Sequence, residues 1–131
     1  MSSIFTKIIN NEISSYKVSE DDKFLAFLDA FPLSYGHVLV IPKKELDYIF
    51  DLDSDEYIGL WNFAKKVAKA MDKALVCERI GVSVIGLEVP HAHIHLVPIN
   101  GVSDINFDKP KKNFSPAKMR EVADKIRKYL S

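Results

Sequence analysis

The segment His91–Val97 reads HAHIHLV and places three histidines at alternate positions within an apolar run. Successive side chains of a β-strand point to opposite faces, so His91, His93 and His95 would share one face of such a strand. The other face would carry Ala92, Ile94 and Leu96. The segment therefore predicts a strand with one face in the core and one face available for chemistry.

The remaining histidine, His37, lies near the start of another apolar segment, Gly36–Ile41, which reads GHVLVI. We expect this segment to form a hairpin with Lys23–Asp29, because Phe31-Pro32 and the residues up to Gly36 supply turn signals between them. A second strand pair is predicted for Gly81–Ile85 and His91–Val97.

Three helices are predicted around these strands. Ser3 begins a short capped helix that ends near Asn10, and Ser115-Pro116 begins a last amphipathic helix. Asp53, with Glu56 three residues later, begins a helix of about six turns with a continuous apolar face. The expected fold class is therefore α+β, an antiparallel sheet with one long helix and shorter terminal helices.

Composition predicts one domain over residues 1–131, since 47% of the 131 residues are hydrophobic and 27% are charged. The formal net charge of zero argues against non-specific nucleic-acid binding. The segment from Lys109 onward carries eight basic and two acidic residues, so it is either a solvated helix face or a basic flap near an anionic ligand. No apolar run is long enough to span a membrane, no secretory signal is evident, and Cys77 is the single cysteine. We therefore expect a cytoplasmic protein without a membrane or nucleic-acid partner.

Three explanations of the histidine pattern were compared. Histidines exposed on a half-solvated strand would have no chemical role. Zinc cannot be held by all three strand histidines, because the outer Cα atoms lie about 9 Å from a metal over the middle ring, but His37 with two of them remains feasible. The third explanation is nucleophilic catalysis at phosphorus, since a neutral imidazole is a good nucleophile near neutral pH.

The segments GHVLVIPKK (residues 36–44) and HAHIHLVP (residues 91–98) resemble those of the histidine triad (HIT) family of nucleotide hydrolases and transferases. The resemblance extends from about Ile4 to Pro98, so it leaves residues 104–131, a basic segment and a helix, without an assigned role. It implies a HIT-like fold. A histidine at position 95, where the uridylyltransferase-like branch typically has glutamine, favours hydrolysis over transfer.

The resemblance also implies roles for individual residues. His93 matches the family nucleophile, which carries the nucleotidyl group until water releases a nucleoside monophosphate. His95 would contact the phosphate and leaving group, while His91 and His37 would orient His93. Asp29 matches the acid that binds the ribose hydroxyls, although it could instead cap a turn. The residues that match the apolar base pocket, each also compatible with a purely core position, are Phe5, Ile8 and Phe27.

The implied activity is cleavage of a nucleoside monophosphate from a purine nucleotide phosphoramidate or dinucleoside polyphosphate. This scheme requires no cofactor and no metal, although magnesium can accompany a polyphosphate, and the family resemblance implies a homodimer. Two alternatives remain: a nucleotide-binding module with little turnover, and a zinc-dependent hydrolase that uses His37 and two strand histidines.

The sequence departs from the family pattern in the link between the last two predicted strands. Many members have a longer glycine-rich loop there, with a glutamine followed by a hydroxyl residue, whereas this chain has Leu87 and Glu88 at those places. Ile99 also follows Pro98 where arginine is common. Loss of one phosphate-facing donor can lower turnover by a factor of roughly 10²–10³.

Overall fold

The computed structural model describes residues 2–130, and within them five strands form one antiparallel sheet flanked by three α-helices. The sheet order is β1-β2-β3-β5-β4. The strands are β1 (Lys17–Glu20), β2 (Phe24–Leu28), β3 (Val38–Pro42), β4 (Arg79–Ser83) and β5 (Ile94–Ile99). The helices are α1 (Ile4–Ile9), α2 (Ser54–Ala74) and α3 (Pro116–Lys128). This arrangement confirms the predicted α+β class.

The three central strands β2, β3 and β5 are buried on both faces, which explains their nearly continuous apolar sequences. One face packs against α2 and α3 and forms the main core, which includes Ala26, Val40 and Ile94. The opposite face carries a smaller cluster in which Phe5 and Ile8 of α1 contact side chains of β2 and β3. The smaller cluster lies on the face of the sheet that carries the histidines.

The predicted caps are present at all three helices. Ser3, Asp53 and Ser115 each accept a hydrogen bond from a backbone N–H in the first turn of the helix that follows. Pro116 occupies the first turn of α3, where its missing N–H costs no helical hydrogen bond. Among residues 2–130, the helices are too short or too polar for any to cross a bilayer.

The predicted hairpin is formed by β2 and β3, and the second predicted pair by β4 and β5. The prediction that all three histidines lie within one strand is wrong, because β5 begins only at Ile94. His91 and His93 precede it, since the N–H of Ala92 donates to the carbonyl of Leu46 outside the sheet. Strand β1 was not predicted, because its polar edge segment KVSE has no run of apolar residues.

Candidate active site

Four buried histidines converge on the face of the sheet that α1 partly covers. His95 lies in β5, His37 immediately precedes β3, and His91 and His93 precede β5. Between 0 and 7% of each residue is exposed, which excludes the explanation that these are solvated surface histidines. The hydrogen bonds of each ring identify the nitrogen that carries the proton in the neutral state.

His91 ties the segment before β5 to α1 and β3. Its Nε2 lies 2.8 Å from the carbonyl oxygen of Pro42, which can only accept, so the proton is on Nε2. Its Nδ1 lies 2.8 Å from the hydroxyl of Ser3, which therefore donates to it. With both nitrogens engaged, the His91 ring is a structural support.

His37 and His95 form a second unit with a defined proton order. The N–H of Leu33 donates to Nδ1 of His37 at 3.0 Å, so the proton of neutral His37 is on Nε2. That Nε2 lies 3.0 Å from Nδ1 of His95 and donates to it. Neutral His95 therefore carries its own proton on Nε2 and presents a hydrogen-bond donor.

His93 has the opposite tautomer. Its Nδ1 lies 2.7 Å from the carbonyl oxygen of His91 and must donate to it, so Nε2 of neutral His93 carries a lone pair. No hydrogen-bond partner occupies that nitrogen among residues 2–130. The ring centroids of His93 and His95 are 4.9 Å apart. The site thus combines a nucleophilic nitrogen with a neighbouring N–H donor.

Burial keeps these imidazoles neutral. It lowers the pKa of His37 to about 3 and the pKa of His95 to about 4, and in both cases nearby positive charges add to the effect. Burial also lowers the pKa of His91 and His93. A neutral His93 is the form in which the Nε2 lone pair is available for attack.

A cavity of about 260 Å³ opens in front of His93 and His95. Its walls include the apolar side chains Phe5, Ile8 and Phe27, and its charged lining residues are Asp29, Glu88 and Lys111. The three apolar residues are at most 7% exposed and also belong to the smaller core cluster. The ring of Phe5 lies edge-on to His93, with centroids 5.1 Å apart. These three residues therefore pack in the smaller core cluster and also line the cavity.

Asp29 follows β2 at the edge of this cavity. Its Oδ1 accepts a hydrogen bond from the N–H of Phe31 at 2.9 Å, so it does cap the turn. Its Oδ2 lies 3.5 Å from Nε2 of His37. Burial raises the pKa of Asp29 to about 6, which opposes a charged pair with the neutral His37. The turn bond occupies Oδ1, Oδ2 lies beside His37, and the residue lines the cavity.

A potential metal-ligand group in the described chain consists of Asp29, His37 and His95, whose ligand atoms lie within 4.8 Å of one another. The zinc alternative named His37 with two strand histidines, but this group contains one strand histidine, His95, together with Asp29. Both ring nitrogens of His91 are hydrogen-bonded, to Ser3 and to Pro42. The structure does not assemble that predicted set.

Two further residues of the site, Phe107 and Lys111, were not individually predicted from the sequence. The Phe107 ring packs against His95 with centroids 4.6 Å apart, and Lys111 lines the cavity. Both lie after the segment that carries the family resemblance. The excess positive charge from Lys109 onward was the one available signal.

The chain is similar to known proteins in both sequence and fold. The sequence model of the HIT domain matches residues 10–101. A HIT-like protein of Borreliella burgdorferi is 35% identical, and the match covers 94% of each chain. The adenosine 5'-monophosphoramidase of Schizosaccharomyces pombe is 32% identical, with 96% of each chain covered. The crystal structure of a HIT-like protein from Bartonella henselae has a TM-score of 0.85 and 34% identity, and the match covers 98% of this chain and 96% of that one. The chain therefore belongs to the HIT family.

Proposed function

We propose that this chain hydrolyses nucleotide phosphoramidates, or related nucleotide conjugates, through a covalent nucleotidyl-His93 intermediate. The observation that carries the proposal is the unpartnered Nε2 of His93, whose lone pair is fixed by the 2.7 Å bond from Nδ1 to the His91 carbonyl. The named activity of the Schizosaccharomyces pombe relative supports the phosphoramidate class.

In the first step, Nε2 of His93 attacks the α-phosphorus as the bond from phosphorus to the leaving nitrogen breaks. That nitrogen keeps the bonding electron pair and takes a proton from solvent, so that it leaves as the free amine, while the Nε2–H of His95 donates a hydrogen bond to it as the bond breaks. In the second step, water attacks phosphorus, the bond to His93 breaks with its electron pair returning to Nε2, and the proton of the water is released to solvent. Because His37 donates to Nδ1 of His95, it holds this N–H donor in the required tautomer.

The remaining residues would position the nucleotide. Asp29 offers a carboxylate oxygen for a ribose hydroxyl, and the apolar residues Phe5, Ile8 and Phe27 would surround the purine base. His91 acts through its backbone carbonyl on His93, while its ring supports α1. His37 would therefore position His93 only indirectly, through His95.

Hydrolysis of adenosine 5'-phosphoramidate tests this function, with AMP release followed over time. His93→Asn is the informative variant, because the Asn amide can still donate to the His91 carbonyl but lacks the nucleophilic ring nitrogen. We expect loss of AMP release with an unchanged melting temperature. Release at the wild-type rate by this variant would refute the role of His93.

A nucleotide-binding module with little turnover is the second candidate. It is favoured by one observation, the acidic Glu88 in the lining of the cavity at a place where many relatives have a hydroxyl. AMP binding without AMP production from phosphoramidate or dinucleoside polyphosphate substrates would favour this candidate.

The proposal includes a homodimer that forms along β4, the terminal strand of the sheet. Phe50, Ile58, Val82 and Ile85 are each 48–66% exposed. Trp61 lines a neighbouring cavity, and its indole N–H is buried without a partner among the described residues. A second copy would cover these apolar groups.

Light scattering tests this dimer. The wild-type chain should have twice the mass of one chain, and Val82→Lys should have the mass of the monomer. A monomeric wild-type chain would contradict this part of the proposal.

A further inference from the structure

A short 3₁₀-helix, Val102–Ile105, follows β5, and the loop between it and α3 returns to the candidate active site. Phe107 in this loop packs edge-on against His95, at 4.6 Å, and also lies 6.4 Å from the ring of His37. The Phe107 ring therefore covers the pair formed by His37 and His95. The same loop places Lys111 in the lining of the cavity.

Lys111 is held at this cavity by its own loop. Its Nζ donates to the carbonyl of Phe107 at 2.6 Å and to that of Lys109 at 3.4 Å, and it lies 5.7 Å from the Phe107 ring centroid. An ammonium group has three donors, so these two carbonyls leave one free. The side chain is thus directed by local contacts and keeps a donor for a ligand.

The charge balance of the cavity depends on this lysine. The other charged side chains in its lining, Asp29 and Glu88, are both acidic. A nucleotide phosphate that enters would meet two carboxyl groups, while the histidines beside it are neutral because burial lowers their pKa. Among the described residues that line the cavity, Lys111 is the one permanent positive charge.

We propose that Lys111 is a phosphate-binding residue, whose ammonium supplies the positive charge that the other lining side chains of the cavity lack. This inference rests on the proposed function, because it assigns the phosphate of the same nucleotide. The Phe107 ring and carbonyl are positioning groups, since they hold the ammonium near His95. The ligand class is a nucleoside 5'-phosphate or its conjugate, and the same nucleoside without phosphate would not require the contact.

Calorimetry with AMP and with adenosine separates this role from a structural one. In Lys111→Met, we expect AMP affinity to fall about tenfold or more, the usual range for loss of a charge-assisted hydrogen bond, while adenosine affinity is unchanged. Lys111→Arg should retain most of the AMP affinity. Lys112→Met is the matched control, because it removes the same charge from the next residue, whose side chain lines a different cavity.

The outcomes distinguish failure of the phosphate role of Lys111 from failure of the proposed hydrolase activity. Equal affinities of wild-type and Lys111→Met chains for AMP, or an equal loss for AMP and adenosine, would overturn the phosphate role of Lys111. The same loss in Lys112→Met would overturn it as well, because the effect would then be one of net charge. Absence of hydrolysis by the wild-type chain, with selective loss of AMP binding in Lys111→Met, would refute the proposed enzyme but support the phosphate contact.

Discussion

At the scale of single residues, the site depends on which nitrogen of each ring carries the proton. Three of the fixed acceptors and donors are backbone groups: the carbonyls of Pro42 and His91 and the N–H of Leu33. The alternating pattern identified the histidines, but it contained no information about these backbone partners. The assignment of His93 over its neighbours from geometry therefore needed the structure.

Glu88 gives the first prediction at this scale. The carboxylate lines the cavity that a phosphate must enter, so Glu88→Gln should raise kcat/KM severalfold by removing like-charge repulsion. Steady-state rates with adenosine 5'-phosphoramidate at several salt concentrations measure the effect, which should shrink as salt increases. Glu78→Gln, outside the lining residues, is the control; a lower kcat/KM for Glu88→Gln would show that the carboxylate helps the reaction.

At the scale of elements, local signals predicted the helices well. Ser3, Asp53 and Ser115 were identified as starts from their sequence neighbours alone, because a cap is a contact within one turn. The first residue of β5 could not be predicted in this way. It depends on the hydrogen bond from the N–H of Ala92 to the carbonyl of Leu46, and these two residues are far apart in sequence.

The residue that caps α1, Ser3, also hydrogen-bonds to His91 in the candidate active site. This double contact gives the second prediction. The hydroxyl of Ser3 accepts from Thr6 and donates to His91, so Ser3→Ala should lower both stability, by about 1 kcal/mol, and activity. Ser115→Ala removes the cap of α3 and contacts no histidine, so it should lower stability alone. Thermal melts and AMP release measure the two effects. Equal activities of the two variants would contradict a role of Ser3 in supporting His91.

The return of the loop after β5 is a further element that sequence could not place. Phe107 packs against His95 and Lys111 lines the cavity beside it, because the chain turns back to this face before α3. Neither residue has a periodic pattern or a motif around it. The sequence shows the aromatic ring of Phe107 and the charge of Lys111, but it does not show that the fold places both at the cavity.

At the scale of the whole molecule, the buried histidines link stability to pH. Their folded pKa values lie below the ordinary 6.5, at about 3 for His37 and about 4 for His95, so their contribution is complete above pH 6.5 and lost as pH falls. Asp29 acts in the opposite direction, because burial raises its pKa to about 6 and the folded state therefore favours its protonated form. Because His37 and His95 together oppose the single carboxyl of Asp29, the net effect is a loss of folding stability as the pH falls.

The third prediction is therefore a loss of unfolding free energy of roughly 1.4 kcal/mol or more per pH unit between about pH 6 and pH 4. Chemical denaturation across this range measures the slope. His37→Asn should reduce the slope, because its Oδ1 can still accept from Leu33 but cannot titrate. Equal slopes for the variant and the wild type would show that His37 is not a source of the acid sensitivity.

The central claim, a covalent bond between His93 and a nucleotide, is tested most directly by trapping that intermediate. The wild-type chain is mixed with adenosine 5'-phosphoramidate, quenched during turnover and digested for peptide mass spectrometry. We predict an adenylyl group on the peptide that contains His93, assigned to that residue by fragmentation, and none in His93→Asn. Turnover of the substrate by His93→Asn at the wild-type rate, or an adduct on another residue instead, would contradict the account.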